Sequence, residues 1–64
     1  MQFLHYRKQV RLTQKEVSDA AGITQGYYSE LESGKKQNVS LPTLRKLAEV
    51  LQTSIENLLQ EKAG

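Results

Sequence analysis

The chain has 64 residues, 38 % of them hydrophobic, with no cysteine, one histidine and a formal net charge of +2. That length allows one small domain, residues 1–64, whose core is close to the lower limit of independent stability. Without cysteines there is no disulfide or thiolate zinc site, and no cofactor is expected. The apolar residues are too dispersed for a membrane span, and MQFLHYRK lacks the apolar stretch of a secretory signal, so a cytoplasmic location is expected.

The modest net charge is unevenly spread. Arg7, Lys8, Arg11, Lys15, Lys35, Lys36, Arg45 and Lys46 carry nearly all of the positive charge, whereas Glu49, Glu56 and Glu61 face only Lys62 beyond them. One surface that attracts polyanions and another that does not is the expected result.

Residues 2–10 place Phe3, Tyr6 and Val10 at the spacing of one helical face, beside Arg7, and predict a first helix. Thr13-Gln-Lys-Glu16 fits a capping box, with Leu12 and Val17 at the positions of a hydrophobic staple. The second helix then runs to Ala20-Ala21 and stops at Gly22, past which Ile23 folds back toward Val17. Thr24 opens a third helix that ends at Ser33, with Gly34 as its terminator. Two short helices around a glycine-bearing turn make a helix-turn-helix. After the polar loop KKQNV, Ser40 caps a fourth helix with Pro42 in its first turn, and Leu41, Leu44, Leu47, Ala48 and Leu51 on its buried face. Gln52-Thr53 is a turn, and Thr53 or Ser54 caps a fifth helix with Ile55, Leu58 and Leu59 inward. Residues 60–64 form a frayed tail. No segment alternates with period two, so the fold class is all-α.

On the third helix, Tyr28, Leu31 and Glu32 share one side while Gly26, Tyr27, Glu30 and Ser33 point the opposite way. Anchored by Tyr28 and Leu31, it presents Thr24, Gln25, Gly26, Tyr27 and Glu30 outward. No nucleophile or metal partner accompanies Glu16 and Asp19, and His5 stands alone on a polar face, so no enzyme is expected.

The run LTQKEVSDAAGITQGYYSELESGKK, followed by SLPTLRKLAEVLQTSIENLL, resembles the phage-repressor and Cro-type helix-turn-helix family, the XRE-like regulators. The resemblance covers residues 3 to 59. It implies a compact five-helix, repressor-like domain that binds a double-stranded DNA operator as a homodimer. It also implies that residues 24–33 lie in the major groove, with Thr24, Gln25, Gly26, Tyr27 and Glu30 as base-reading candidates. Gln25 suits a bidentate pair with adenine, Tyr27 a thymine methyl or a phosphate, and Glu30 a cytosine amino group. Gly26 either permits close approach or is simply tolerated in the first helical turn.

Gln14 matches a family position that contacts the DNA backbone, the alternative being an ordinary exposed glutamine. Lys35 and Lys36 are phosphate clamps, with Gln37 and Asn38 beside them. Arg45, with Lys46, either extends that row or lies on a solvated face, and Lys15 and Arg11 are further backbone candidates. The family commonly pairs an arginine and a glutamate at the positions of Arg7 and Glu32, which implies a structural salt bridge from the first helix to the third. Dimerisation is expected around Ile55, Leu58 and Leu59, unless all three are buried within the protomer. The chain departs from the family at Arg11 and Gln52, where glycine is common at a helix end, and at Tyr28, where Ile or Leu is usual. Its loop after Gly34 is about one residue longer than in many members. A different class of function is an antitoxin or adaptor whose main partner is another protein, with DNA binding for autoregulation; no disordered tail or added domain is expected after residue 60, which weighs mildly against it. A third reading is the DNA-binding piece of a longer sensor.

Overall fold

The computed structural model describes residues 1–60. Among them the chain forms five helices and no strand: α1 (Phe3–Val10), α2 (Gln14–Ala21), α3 (Gln25–Ser33), α4 (Leu41–Val50) and α5 (Ile55–Leu59). No helix of the described residues is long and apolar enough to cross a membrane.

Side chains just outside each helix set where it starts. Thr13 Oγ1 accepts from the Glu16 amide and the Glu16 carboxylate accepts from the Thr13 amide, closing a reciprocal capping box at α2. Thr24, Ser40 and Ser54 cap α3, α4 and α5 in the same sense, each accepting from the amide three residues on.

Three helix ends close by one motif. After α2, Gly22 is left-handed (φ 73°), its amide donating to Asp19 O and that of Ile23 to Ser18 O. The same pair of bonds recurs after α1 at Arg11 (φ 60°) and after α4 at Gln52 (φ 56°). The turns lacking glycine are therefore made in the ordinary way, and two non-glycine residues bear the steric penalty.

The core comprises Phe3, Val17, Ala21, Tyr28, Leu31, Leu44, Leu47, Ala48, Leu51 and Leu58. Phe3 meets Tyr28 edge-on, with ring centroids 6.1 Å apart. α2 packs against both α3 and α4, and Ser18, Ala21 and Ala48 are small buried residues on α2 and α4. The chain start is tied to α5 and the residue that follows it: the Gln2 amide donates to Leu58 O (2.8 Å) and its side chain to Gln60 O (2.9 Å).

Three expectations need correcting. Leu41 is 56 % exposed, because the first turn of α4 projects beyond the core that Leu44 and Leu47 enter. Leu59 is 50 % exposed, since a five-residue helix turns one side fully inward, and Leu58 takes it. Gln60 is not frayed: its amide donates to Glu56 O and its carbonyl accepts from Gln2. The rest of the expected tail, 61–64, lies outside the described residues.

Candidate nucleic-acid interface

α3 is held from behind by side chains that leave its start uncovered. Tyr28 and Leu31 are 0 % and 2 % exposed, whereas Thr24, Gln25 and Gly26 all lie on the surface. Thr24 uses its hydroxyl oxygen to cap the helix through the Tyr27 amide (3.1 Å), which leaves its hydroxyl hydrogen for an external acceptor. A Cβ built on Gly26 would meet nothing within 4 Å, so packing within the protomer does not require glycine there.

Farther along α3 the outward residues turn toward the following loop. Tyr27 is half-buried and its hydroxyl donates to the Asn38 carbonyl at 3.3 Å. Lys36 Nζ stands 5.6 Å from the centre of its ring. The Lys36 amide donates to Glu30 O (3.1 Å), and the Glu30 carboxylate lies 3.9 Å from Lys35 Nζ and 3.8 Å from Lys36 Nζ. Tyr27, Glu30, Lys35, Lys36 and Asn38 thus form one continuous polar surface with the start of α3. Gln37 is exposed within it.

Behind that surface, Glu32 gathers donors from three helices. Arg7 of α1 grips it with two nitrogens, Nε at 2.6 Å and Nη2 at 3.1 Å. Gln14 of α2 donates its amide at 2.8 Å, and the Tyr28 hydroxyl donates at 2.9 Å. Arg7 Nη1 also donates to Leu12 O, bracing the turn that leads into α2. Burial pushes the Glu32 carboxyl up, but the bonds from Arg7, Gln14 and Tyr28 outweigh it and hold the group below the usual carboxylate range. The hydrogen bond to Glu32 raises Arg7, and burial, with the same carboxylate nearby, pushes the Tyr28 phenol up. Among the described residues, no buried side-chain nitrogen or oxygen lacks a partner.

The remaining candidates are more scattered. Gln14 is half-buried with one amide hydrogen committed to Glu32, so only the rest of its amide is open to solvent. Lys15 is exposed and pairs with Asp19 at 2.8 Å along α2. Arg45 lies with Lys46 on a separate shallow surface of α4, lined also by Leu41, Pro42 and Glu49. The Glu30 pairing with Lys35 and Lys36 and the Gln14 bond to Glu32 escaped sequence reasoning. The first bridges a helix end and the second joins residues 18 apart, so neither falls under a helical spacing rule.

A helix-turn-helix family profile matches residues 5–58, and the chain belongs to that family. Among its relatives is the HTH-type transcriptional regulator SinR of Bacillus subtilis (strain 168), 35 % identical over 57 residues, which are 89 % of this chain and 51 % of SinR. The SinR of Bacillus licheniformis matches to the same extent, so the chain spans about half the length of these curated relatives. The N-terminal DNA binding domain of SinR from Bacillus subtilis superposes with a TM-score of 0.86 at 32 % identity, covering 97 % of this chain and 90 % of that one.

Proposed function

We infer that this chain is the DNA-reading unit of a sequence-specific transcriptional regulator of the repressor type, acting in the cytoplasm on a double-stranded operator. The observation that carries this reading is the start of α3: Thr24, Gln25 and Gly26 are exposed at the tip of a helix whose opposite side is locked into the core by Tyr28 and Leu31. A helix presented in this way can enter the major groove with its first residues at the base edges. The Gln25 amide both donates and accepts, which matches adenine and is worth about 1–3 kcal/mol of discrimination. Lys35, Lys36, Gln37 and Asn38 flank the helix and contact phosphates. Gln14, at the first turn of α2, adds a backbone contact from an amide that Glu32 holds in place. Lys15 and Arg45 are peripheral backbone contacts. The likeness to a SinR DNA binding domain over nearly all of both chains supports the same reading.

The operator-bound form is a homodimer, each protomer on a half-site about 34–36 Å from the next. With Leu58 buried inside the protomer, the α5 surface left for the second copy is Leu59 and the uncovered edge of Ile55. Selection from random duplexes tests the reading in one step. A symmetric motif should emerge, and Gln25→Ala should relax preference at one or two of its positions. Recovery of no motif from the parent protein would overturn it.

A further inference from the structure

We propose that Glu30 is a specificity-determining residue that restrains Lys35 and Lys36 on DNA of the wrong sequence. The proposal rests on the duplex-reading role argued above and deepens it. The Glu30 carboxylate, on the outward side of α3, has one oxygen near each ammonium group, at 3.9 Å for Lys35 and 3.8 Å for Lys36. The Lys36 amide bonded to Glu30 O and the Tyr27 hydroxyl bonded to Asn38 O latch the loop back onto the helix, so both lysines start from fixed backbone positions around this carboxylate. The Tyr27 ring beside Lys36 Nζ adds a second attraction that holds the ammonium group over the helix.

Binding without regard to sequence draws almost entirely on cation–phosphate contacts. One carboxylate between two lysines cancels half of their local charge, and that cost applies on every duplex. When the lysines turn to phosphates, Glu30 loses its partners and faces the groove. A cytosine amino group beneath it donates a hydrogen bond to the carboxylate, whereas N7, O6 and O4 acceptors repel it. Cognate DNA therefore restores what the lysines withdraw, and other DNA does not. Discrimination arises by penalising the wrong partner as much as by favouring the right one.

The test uses Glu30→Gln, a surface change that keeps the side-chain shape, with thermal unfolding confirming that the variant folds. Its affinity for a random-sequence duplex should rise about 3- to 10-fold at low salt, and the slope of log K against log[salt] should steepen by about one unit, as expected for one more effective cation. Affinity for the selected operator should rise less or fall, so the ratio between the two narrows. In a Lys35→Ala/Lys36→Ala background, Glu30→Gln should no longer raise random-duplex affinity. An unchanged random-duplex affinity in the single variant, or a gain that persists without the lysines, would overturn the proposal while leaving duplex binding intact. A parent protein that binds no duplex overturns both.

Discussion

Arg7 on α1 and Glu32 near the end of α3 meet through two nitrogens and two oxygens, with Arg7 Nε 2.6 Å from Glu32 Oε2. The carboxylate side chain is only 7 % exposed and the guanidinium side chain 18 %. Gln14 and Tyr28 donate to the same carboxylate, so one buried charge joins α1, α2 and α3 behind the outward surface of the last. α3 is thus positioned by a polar knot as well as by its apolar side.

Glu32→Gln should therefore destabilise the fold by about 3 kcal/mol, the low end for a broken buried pair, because Arg7 retains some solvent. The neutral amide carries its own hydrogens toward Arg7 and Gln14, so those donors lose an acceptor and gain a clash. Urea titration of the variant against the parent measures it; a loss under about 1 kcal/mol would place this pair with ordinary surface ion pairs.

The same carboxylate makes the protein acid-sensitive. Its folded-state pKa lies below the ordinary 4.5. A depressed carboxylate contributes stability that is complete above the unfolded-state value and is lost as pH falls through the folded one. The unfolding free energy should hold level down to about pH 4.5 and then decline. Glu32→Gln, although less stable throughout, should show a shallower decline over that acid range. Paired denaturation series at several pH values read the difference, and parallel declines would assign the acid loss to other groups.

Two helix ends store strain that a single substitution can release. Arg11 and Gln52 are left-handed with φ of 60° and 56°. That conformation costs an L-residue about 1–2 kcal/mol, and glycine returns about 0.4–1 kcal/mol of that through the entropy of the unfolded chain. Arg11→Gly and Gln52→Gly should each stabilise by about 0.5–1 kcal/mol, raising Tm by about 3–6 °C in a domain of this size. A drop in Tm for either would mean that the native side chain contributes more than the strain removes.

Gly26 allows the demands of folding to be tested apart from those of the proposed groove contact. It sits in the first turn of α3 with open space around the missing side chain. Gly26→Ala should raise stability by about 0.5–1 kcal/mol, the usual helical gain. If the groove needs a close approach of the backbone at this point, the same variant should bind the selected operator more weakly while unfolding at a higher temperature. Unchanged operator affinity would mark the glycine as merely tolerated.

Much of this architecture was legible because it is written in short-range chemistry. The caps at Thr13, Thr24, Ser40 and Ser54 and the stop at Gly22 depend on residues within one turn of one another. The inward side of α3 followed from the three- and four-residue spacing of Tyr28, Leu31 and Glu32. Spacing failed where it could not say how far the core extends. Leu41 falls in register with Leu44 yet projects past the core, and Leu59 adjoins Leu58, which with the partly buried Ile55 takes the inward side of α5. The links within the candidate surface were hidden for a different reason. Glu30 meets Lys35 and Lys36 only because α3 ends at Gly34 and the chain reverses, and Gln14 meets Glu32 only because α2 and α3 cross.

The difference between Leu58 and Leu59 supplies a last test, on the second copy. Leu58 is fully buried and its carbonyl accepts from the Gln2 amide, so Leu58→Ala removes core volume where the chain start and α5 are joined. It should cost about 2–5 kcal/mol and lower stability at any protein concentration. Leu59 makes no comparable contribution within the protomer, being half exposed on a helix one turn long. Leu59→Glu should leave monomer stability within about 0.5 kcal/mol of the parent, as surface changes usually do. Set opposite its own copy across a two-fold interface, however, the new carboxylate would face a like charge. Sedimentation of the parent and the variant on a full palindromic operator and on a half-site distinguishes the cases. Loss of two-protomer binding on the palindrome, with half-site affinity reduced only modestly, is expected if α5 meets its copy. Equal occupancy of the palindrome by both proteins would move the contact elsewhere on the surface.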